Sequence, residues 1–426
     1  MSSFQRPDQA SNDWASTEEV GPAQGGSSIH LLPGEKISFS STSKSPGSLD
    51  SEKENVVRRG QTDFRIVTEQ ARYQVAQIPD LVGSEEWNLN PDFQRRHRWD
   101  VAKRSRLIES IMLNVPIPPI FLYEAELSRF EVMDGLQRLT AIAEFYKDSY
   151  ALEGLEYFPD LNGKSFSEID ELTRRIVGRR YLSAVVLLHE TGKTPEEADL
   201  LKQLVFERIN SGGVDLTPQE SRNALLSGSM NTLCLELAET PSFQRLWNIE
   251  PGPEGVGSDE EILSAHPFYR SMYDVELVLR FFAYRQRLAG GIGPRRNLKG
   301  FLDSYLKGAN KYDADLIESL RVLFTGTSDL IEKVLGEQAF WLYRLRRGDW
   351  QWIEEPAVVA YEPLMLAFSQ RLESADALID RKEDIQADLP DFYKQHGDRI
   401  DGRKVNSRDL EERNSLYLNF LDSHLA

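Results

Sequence analysis

The stretch Phe130-Glu131-Val132-Met133-Asp134-Gly135-Leu136-Gln137-Arg138-Leu139-Thr140 decides how this chain is read. Its first four residues have strand character, Gly135 permits a sharp turn, and Leu136, Leu139, Ala143 and Tyr146 then recur at helical spacing. A strand that turns directly into a helix gathers the unpaired N–H groups of the first helical turn at one corner, with the positive end of the peptide dipoles. Anions are attracted to such corners. Gln137 and Arg138 fall in that first turn, where a guanidinium forks onto phosphate oxygens. Asp134 repels a phosphate unless it holds Mg²⁺ or orients a water. Each part alone has an ordinary explanation, since Asp-Gly is a common turn and a first-turn arginine is usually solvated. Together, an aspartate, an arginine and a helix start suit a nucleotide triphosphate better than a neutral ligand.

Working outward, Asp100 is an N-cap for a helix whose face carries Leu107, Ile108, Ile111 and Met112, and Pro116-Ile117-Pro118-Pro119 ends it. Strands are expected at 120–123, 130–133 and 181–188, and a helix at 196–209 before the turn Asn210-Ser211-Gly212-Gly213. Thr217-Pro218-Gln219-Glu220 is a complete capping box with proline at the first helical position. Beyond it the pattern is almost entirely helical, with helices expected at 229–239, 273–288, 315–335, 358–372 and 407–421. Residues 1–60 are rich in Ser, Gly, Gln and charge, a composition that cannot offset ordering entropy by burial. The expected fold class is α+β. A disordered tail (1–60) precedes a nucleotide-binding α/β unit (61–215), and a helical region (216–426) packs on that unit.

The 426 residues carry 50 Lys and Arg against 68 Asp and Glu, a formal charge of −18. Such a surface gains little from counterion release, so any DNA contact is expected to be weak and local. The best basic surface lies in Asn90-Pro91-Asp92-Phe93-Gln94-Arg95-Arg96-His97-Arg98-Trp99, where two aromatics anchor a cationic loop and Gln94 and Arg95 are presented to a ligand. Arg174, Arg175, Arg179 and Arg180 form a second cluster, read as basic residues complementing a helix C-terminus. Cys234 is the only cysteine, and the six histidines are scattered without metal-ligand spacing. Gly163-Lys164-Ser165 lacks the upstream glycine of a phosphate-binding loop, since Phe158 stands there. No apolar run reaches the ~20 residues of a membrane helix, and the Met1 end lacks a basic start with an apolar stretch. A cytoplasmic protein without membrane contact is expected.

Several segments together resemble the GmrSD N-terminal domain family of the ParB/sulfiredoxin-like superfamily. They are Asp92-Phe93-Gln94-Arg95 with Trp99, Leu107-Ile108-Glu109-Ser110-Ile111 with the Pro116–Pro119 run, Asp134-Gly135-Leu136-Gln137-Arg138-Leu139-Thr140, and Phe206-Glu207-Arg208-Ile209-Asn210 with Leu216-Thr217-Pro218-Gln219-Glu220. Asp274-Val275-Glu276-Leu277-Val278-Leu279-Arg280-Phe281-Phe282 and Phe301-Leu302-Asp303 are similar to the family further on. The resemblance implies a ParB-like α/β unit followed by helices, nucleotide binding with Mg²⁺-dependent NTP hydrolysis, and service in defence against phage. It implies Asp134, Gln137 and Arg138 as catalytic residues, with Asp134 on Mg²⁺. Gln94, Arg95, Gly135, Gln137, Arg138 and Asn210 are implied as nucleotide contacts. Leu136 departs from the family's usual glutamine. No C-terminal metal-finger nuclease pattern is found, since His396-Gly397-Asp398 lacks its neighbours. The chain therefore reads as a nucleotide-handling partner of a separate nuclease. A non-catalytic nucleotide- or DNA-sensing module and a self-sufficient ParB-like endonuclease stand as alternatives.

Overall fold

Asp100 starts the first long helix as expected, its carboxylate accepting from the Lys103 amide at 2.7 Å. The computed structural model of the chain describes residues 29–37, 66–89, 99–188, 195–210, 217–249, 266–290, 298–400 and 407–425. These divide into two units, residues 48–225 and residues 1–47 with 226–426.

The first unit is built on a five-stranded mixed sheet. Its strands are β1 (Thr68–Gln74), β2 (Trp87–Asn88), β3 (Ile120–Glu126), β4 (Arg129–Asp134) and β5 (Tyr181–Leu187), in the order β1-β5-β3-β4-β2. β3 runs parallel to β5 and antiparallel to β4, with Phe121 opposite Asp134. Alternation along the strands sends Ile120 and Leu122 to one face and Phe121 and Tyr123 to the other. On the first face the core also takes in residues of α1 (Ile78–Val82), α2 (Val101–Met112), α3 (Leu136–Tyr146) and α4 (Glu171–Gly178). On the second, Tyr123, Met133 and Leu187 meet Phe206 of α5 (Pro195–Asn210). Ala224 and Leu225, at the end of α6 (Pro218–Leu225), pack against that second core. The unit therefore extends to Leu225 rather than stopping at 215. The capping box at the start of α6 forms, with the Glu220 amide donating to Thr217 Oγ1 at 3.2 Å and the Thr217 amide to the Glu220 carboxylate.

The second unit is mainly helical. Its elements are α7 (Ser229–Ala238), α8 (Pro241–Leu246), α9 (Pro267–Arg270), α10 (Tyr273–Leu288), α11 (Leu298–Ala309), α12 (Ala314–Leu335), α13 (Val358–Ser369), α14 (Ala375–Asp380), α15 (Lys382–His396) and α16 (Ser407–Leu425). Phe243, Trp247, Phe281, Phe324, Phe340 and Tyr361 meet ring to ring in its core. Residues 360–368 of α13 are buried throughout, the charged Glu362 among them. Two features depart from the sequence expectation. A hairpin, β6 (Leu342–Arg346) with β7 (Asp349–Ile353), interrupts the helices. Residues 29–37, expected to be part of a disordered tail, are instead seated in this unit through a buried Glu35–Arg285 ion pair. Among the described residues no helix is long and apolar enough to cross a membrane.

Candidate functional site at the strand–helix corner

β4 ends at Asp134, Gly135 turns, and α3 begins at Leu136. Gly135 has φ +96°, and a Cβ there would lie 2.3 Å from Ile120 Cγ2. Only glycine tolerates both the left-handed backbone and that approach to the start of β3. The Leu139 amide donates to the Gly135 carbonyl at 3.0 Å and opens the helical ladder.

The arginine expected to fork onto phosphate turns inward. Arg138 is buried; its Nη2 donates to Asp134 Oδ2 at 2.7 Å, and its Nη1 to the Pro118 carbonyl and, at 3.2 Å, to that of Pro119. The reason is local: the Gly135 turn folds the first turn of α3 back towards the end of β4, so Arg138 reaches Asp134 four residues before it, and the proline run leaves carbonyl acceptors facing the corner. The Asp134 side chain stays 38% exposed, and its Oδ1 has no protein partner among the described residues. Arg138 thus fixes the carboxylate through one oxygen and leaves the other open.

Gln137 is also committed: its Oε1 accepts from the Trp99 amide at 3.1 Å. Trp99 is itself held, half-buried against the core, with Lys103 Nζ 4.7 Å from its ring centroid. Gln137 therefore ties the end of the arginine-rich segment to the corner. Gln94, Arg95 and the rest of that loop up to Arg98 lie outside the described residues. Asn210 closes α5, and its side chain lies outside the described set, as do residues 211–216. Leu136 is half-buried. In the second basic cluster Arg175 is paired with Glu171 at 2.5 Å and Arg180 Nη2 donates to the Met112 carbonyl at 3.2 Å. Those two cations are partly committed to the fold.

Two participants were not anticipated. The carbonyls of Pro118 and Pro119 hold Arg138, and their only sequence signal is the proline run before β3. On the opposite sheet face Lys202 of α5 pairs with Glu131 of β4 and lies 5.1 Å over the Tyr123 ring. That bond fastens α5 to the strand that delivers Asp134. No group of three or more His, Cys, Asp or Glu suited to a metal is present among the described residues.

Compared with known proteins, residues 78–227 match the family described as the GmrSD restriction endonuclease, N-terminal domain. This segment belongs to that family. The matched range runs from α1 to just past α6, so it ends with the first structural unit and contains the whole corner, while β1 lies outside it. No curated protein and no solved structure matches the chain. Within the GmrSD domain Gly135, Gln137 and Arg138 occupy one continuous corner with Asp134.

Proposed function

We propose that the GmrSD domain binds a nucleoside triphosphate at the Asp134–Gly135 corner and hydrolyses it with Mg²⁺. In this reading the chain acts in a restriction system against foreign DNA by licensing a separate nuclease. The observation that supports it is the Asp134 carboxylate, held by Arg138 on one oxygen and open on the other, beside the N-terminus of α3. First-turn amides of α3 offer the phosphates hydrogen-bond donors and a favourable dipole. Arg138 then serves as a positioning residue, acting on the nucleotide through Asp134. Gln137 holds the Trp99 backbone beside the corner.

Mg²⁺ is commonly held by one or two carboxylates together with substrate phosphates and waters. A single half-exposed carboxylate with one open oxygen meets the lower end of that requirement, so Asp134 would be its protein ligand. The ion would offset phosphate charge during transfer.

The second reading is a nucleotide sensor without turnover. It is favoured by the lone carboxylate and by an arginine already engaged with protein acceptors. Phosphate release from each of the four NTPs, with and without Mg²⁺ and DNA, separates the two. Asp134→Asn preserves the turn and removes the charge; nucleotide is expected to bind still, while Mg²⁺-dependent hydrolysis falls at least tenfold. Hydrolysis by this variant at the wild-type rate reduces Asp134 to a turn residue. Binding without turnover in the wild type selects the sensor.

A further inference from the structure

In the helical unit, residues 29–37 (Ile29-His30-Leu31-Leu32-Pro33-Gly34-Glu35-Lys36-Ile37) occupy a cleft whose lining comes from 249–277 positions away in sequence. The segment shapes itself first. The Glu35 amide donates to the Leu32 carbonyl at 3.0 Å, Gly34 has φ +84°, and the Glu35 carboxylate reaches back to the Leu32 amide at 2.7 Å. Proline followed by a left-handed glycine is the signature of a type II turn, so Leu32-Pro33-Gly34-Glu35 is pre-shaped by its own residues.

The cleft reads that shape. Arg285 of α10 grips the carboxylate with Nε at 2.9 Å and Nη2 at 3.0 Å, and the same Nη2 donates to the His30 carbonyl at 3.1 Å. Gln286 takes the backbone on both sides of Lys36, donating to the Glu35 carbonyl at 2.5 Å and accepting from the Ile37 amide at 3.1 Å. The Tyr312 hydroxyl also donates to the Glu35 carbonyl at 2.5 Å. Gly308 of α11 makes room for Ile37, since a Cβ there would come within 2.9 Å of Ile37 Cγ2. Arg285 is buried, so without a carboxylate it would be an uncompensated interior charge. The cleft is therefore built for an acidic occupant.

Much of the occupant stays at the surface. His30, Pro33, Gly34 and Lys36 are exposed, and Ile29 and Glu35 are its only fully buried members. The hydrogen bonds named above that join it to the rest of the unit use the side chains of Arg285, Gln286 and Tyr312. The aromatic core around Phe243, Trp247 and Phe324 packs without it.

We propose that Arg285, Gln286, Gly308 and Tyr312 form a peptide-reading cleft, and that the Leu32–Ile37 motif is its tethered ligand, exchangeable with the same motif of a second copy of this chain. A carboxylate displayed on a pre-formed turn, rather than negative charge in general, is what the cleft selects.

The test uses the full chain and a labelled peptide of residues 29–37. In the wild type, the Leu32 and Ile37 amides are expected to exchange hydrogen at least tenfold faster than the core amides of α10, such as that of Leu279. Glu35→Ala removes the carboxylate that Arg285 grips and weakens the tethered segment's hold, and the peptide should bind this variant saturably and at least tenfold more tightly than it binds the wild type. A peptide carrying Glu35→Gln should bind at least tenfold more weakly. Gly308→Ala, which obstructs Ile37 without touching charge, should speed exchange at Ile37 while the melting temperature holds. Exchange of Leu32 and Ile37 only at the rate of the α10 core, loss of the cooperative melt in Glu35→Ala, or a folded Glu35→Ala chain that ignores the peptide would each overturn the proposal.

Discussion

At the corner of the GmrSD domain, Arg138 meets Asp134 at 2.7 Å while the carboxylate keeps 38% of its side-chain surface exposed. In the helical unit, Arg280 meets Glu276 at 2.7 Å and Glu362 at 3.2 Å, with those side chains only 10% and 5% exposed. The same chemical parts do different work. Arg280 joins α10 to α13 and finds a carboxylate on both sides, so its cluster is largely shielded from solvent. Burial pushes the Glu362 carboxyl above its ordinary range, and the neighbouring Arg280 opposes that rise. Arg138 instead spends its donors on one carboxylate oxygen and on backbone carbonyls, leaving Asp134 an open side. An ion pair with all its partners inside the fold is architecture; one with a spare acceptor at a helix N-terminus can take part in chemistry.

If that contrast is right, the helical cluster should be the more sensitive to truncation. Arg280→Ala takes away the cation that Glu276 and Glu362 share, and breaking such a buried pair costs about 3–5 kcal/mol. Urea unfolding of the full chain should show the loss, and a change below about 1 kcal/mol would erase the distinction drawn here. Next in size is Gly135→Ala, which forces a left-handed alanine against Ile120. Overpacking and backbone strain together predict a loss of about 2–4 kcal/mol, read as an earlier melt of the first unit. An alanine variant as stable as wild type would show that the corner can relax.

Arg138→Ala sharpens the comparison at the site. It removes a buried charge-assisted bond but leaves Asp134 able to hydrate, so a loss of about 1–3 kcal/mol is expected. NTP turnover should fall with it, and Arg138→Lys should restore the charge without the fork that also reaches Pro118. Stability unchanged with nucleotide affinity lost would return Arg138 to a direct phosphate contact. The smallest effect concerns His266, the N-cap of α9, whose Nδ1 accepts from the Phe268 amide at 3.3 Å. Burial lowers its pKa from the usual 6.5, so the folded state favours the neutral ring. Its contribution is present above pH ~6.5 and declines as pH falls through the depressed folded value. His266→Asn keeps an acceptor at the cap and should flatten that part of the stability profile, measured by thermal melts across pH 5 to 7.5.

The elements read correctly from sequence share one property: their signals are complete within a few residues. Asp100 caps α2, Thr217 and Glu220 box the start of α6, and α10 occupies residues 273–288 as the periodicity predicts. The missed strands lack such signals. β1 is an edge strand, largely exposed or half-buried, so Thr68–Gln74 shows no clean alternation. The β6–β7 hairpin turns through Arg347 and Gly348, both at positive φ, without the Asn-Gly pair that would announce it.

The sequence by itself determined the α+β class, the strand-to-helix corner at Gly135 and the GmrSD resemblance that residues 78–227 bear out. These rest on turn chemistry, capping and periodicity, all of which act between near neighbours. Tertiary structure decided where the charges point. Arg138 faces Pro118 because the proline run and α3 converge at the start of β3, a placement no spacing encodes. Likewise the composition of residues 1–60 averages over the one acidic residue that matters, and Glu35 becomes buried only because folding brings Arg285 to it from 250 positions away. Local propensity is additive along the chain, whereas the partner of a buried charge is chosen by the packing of the whole unit.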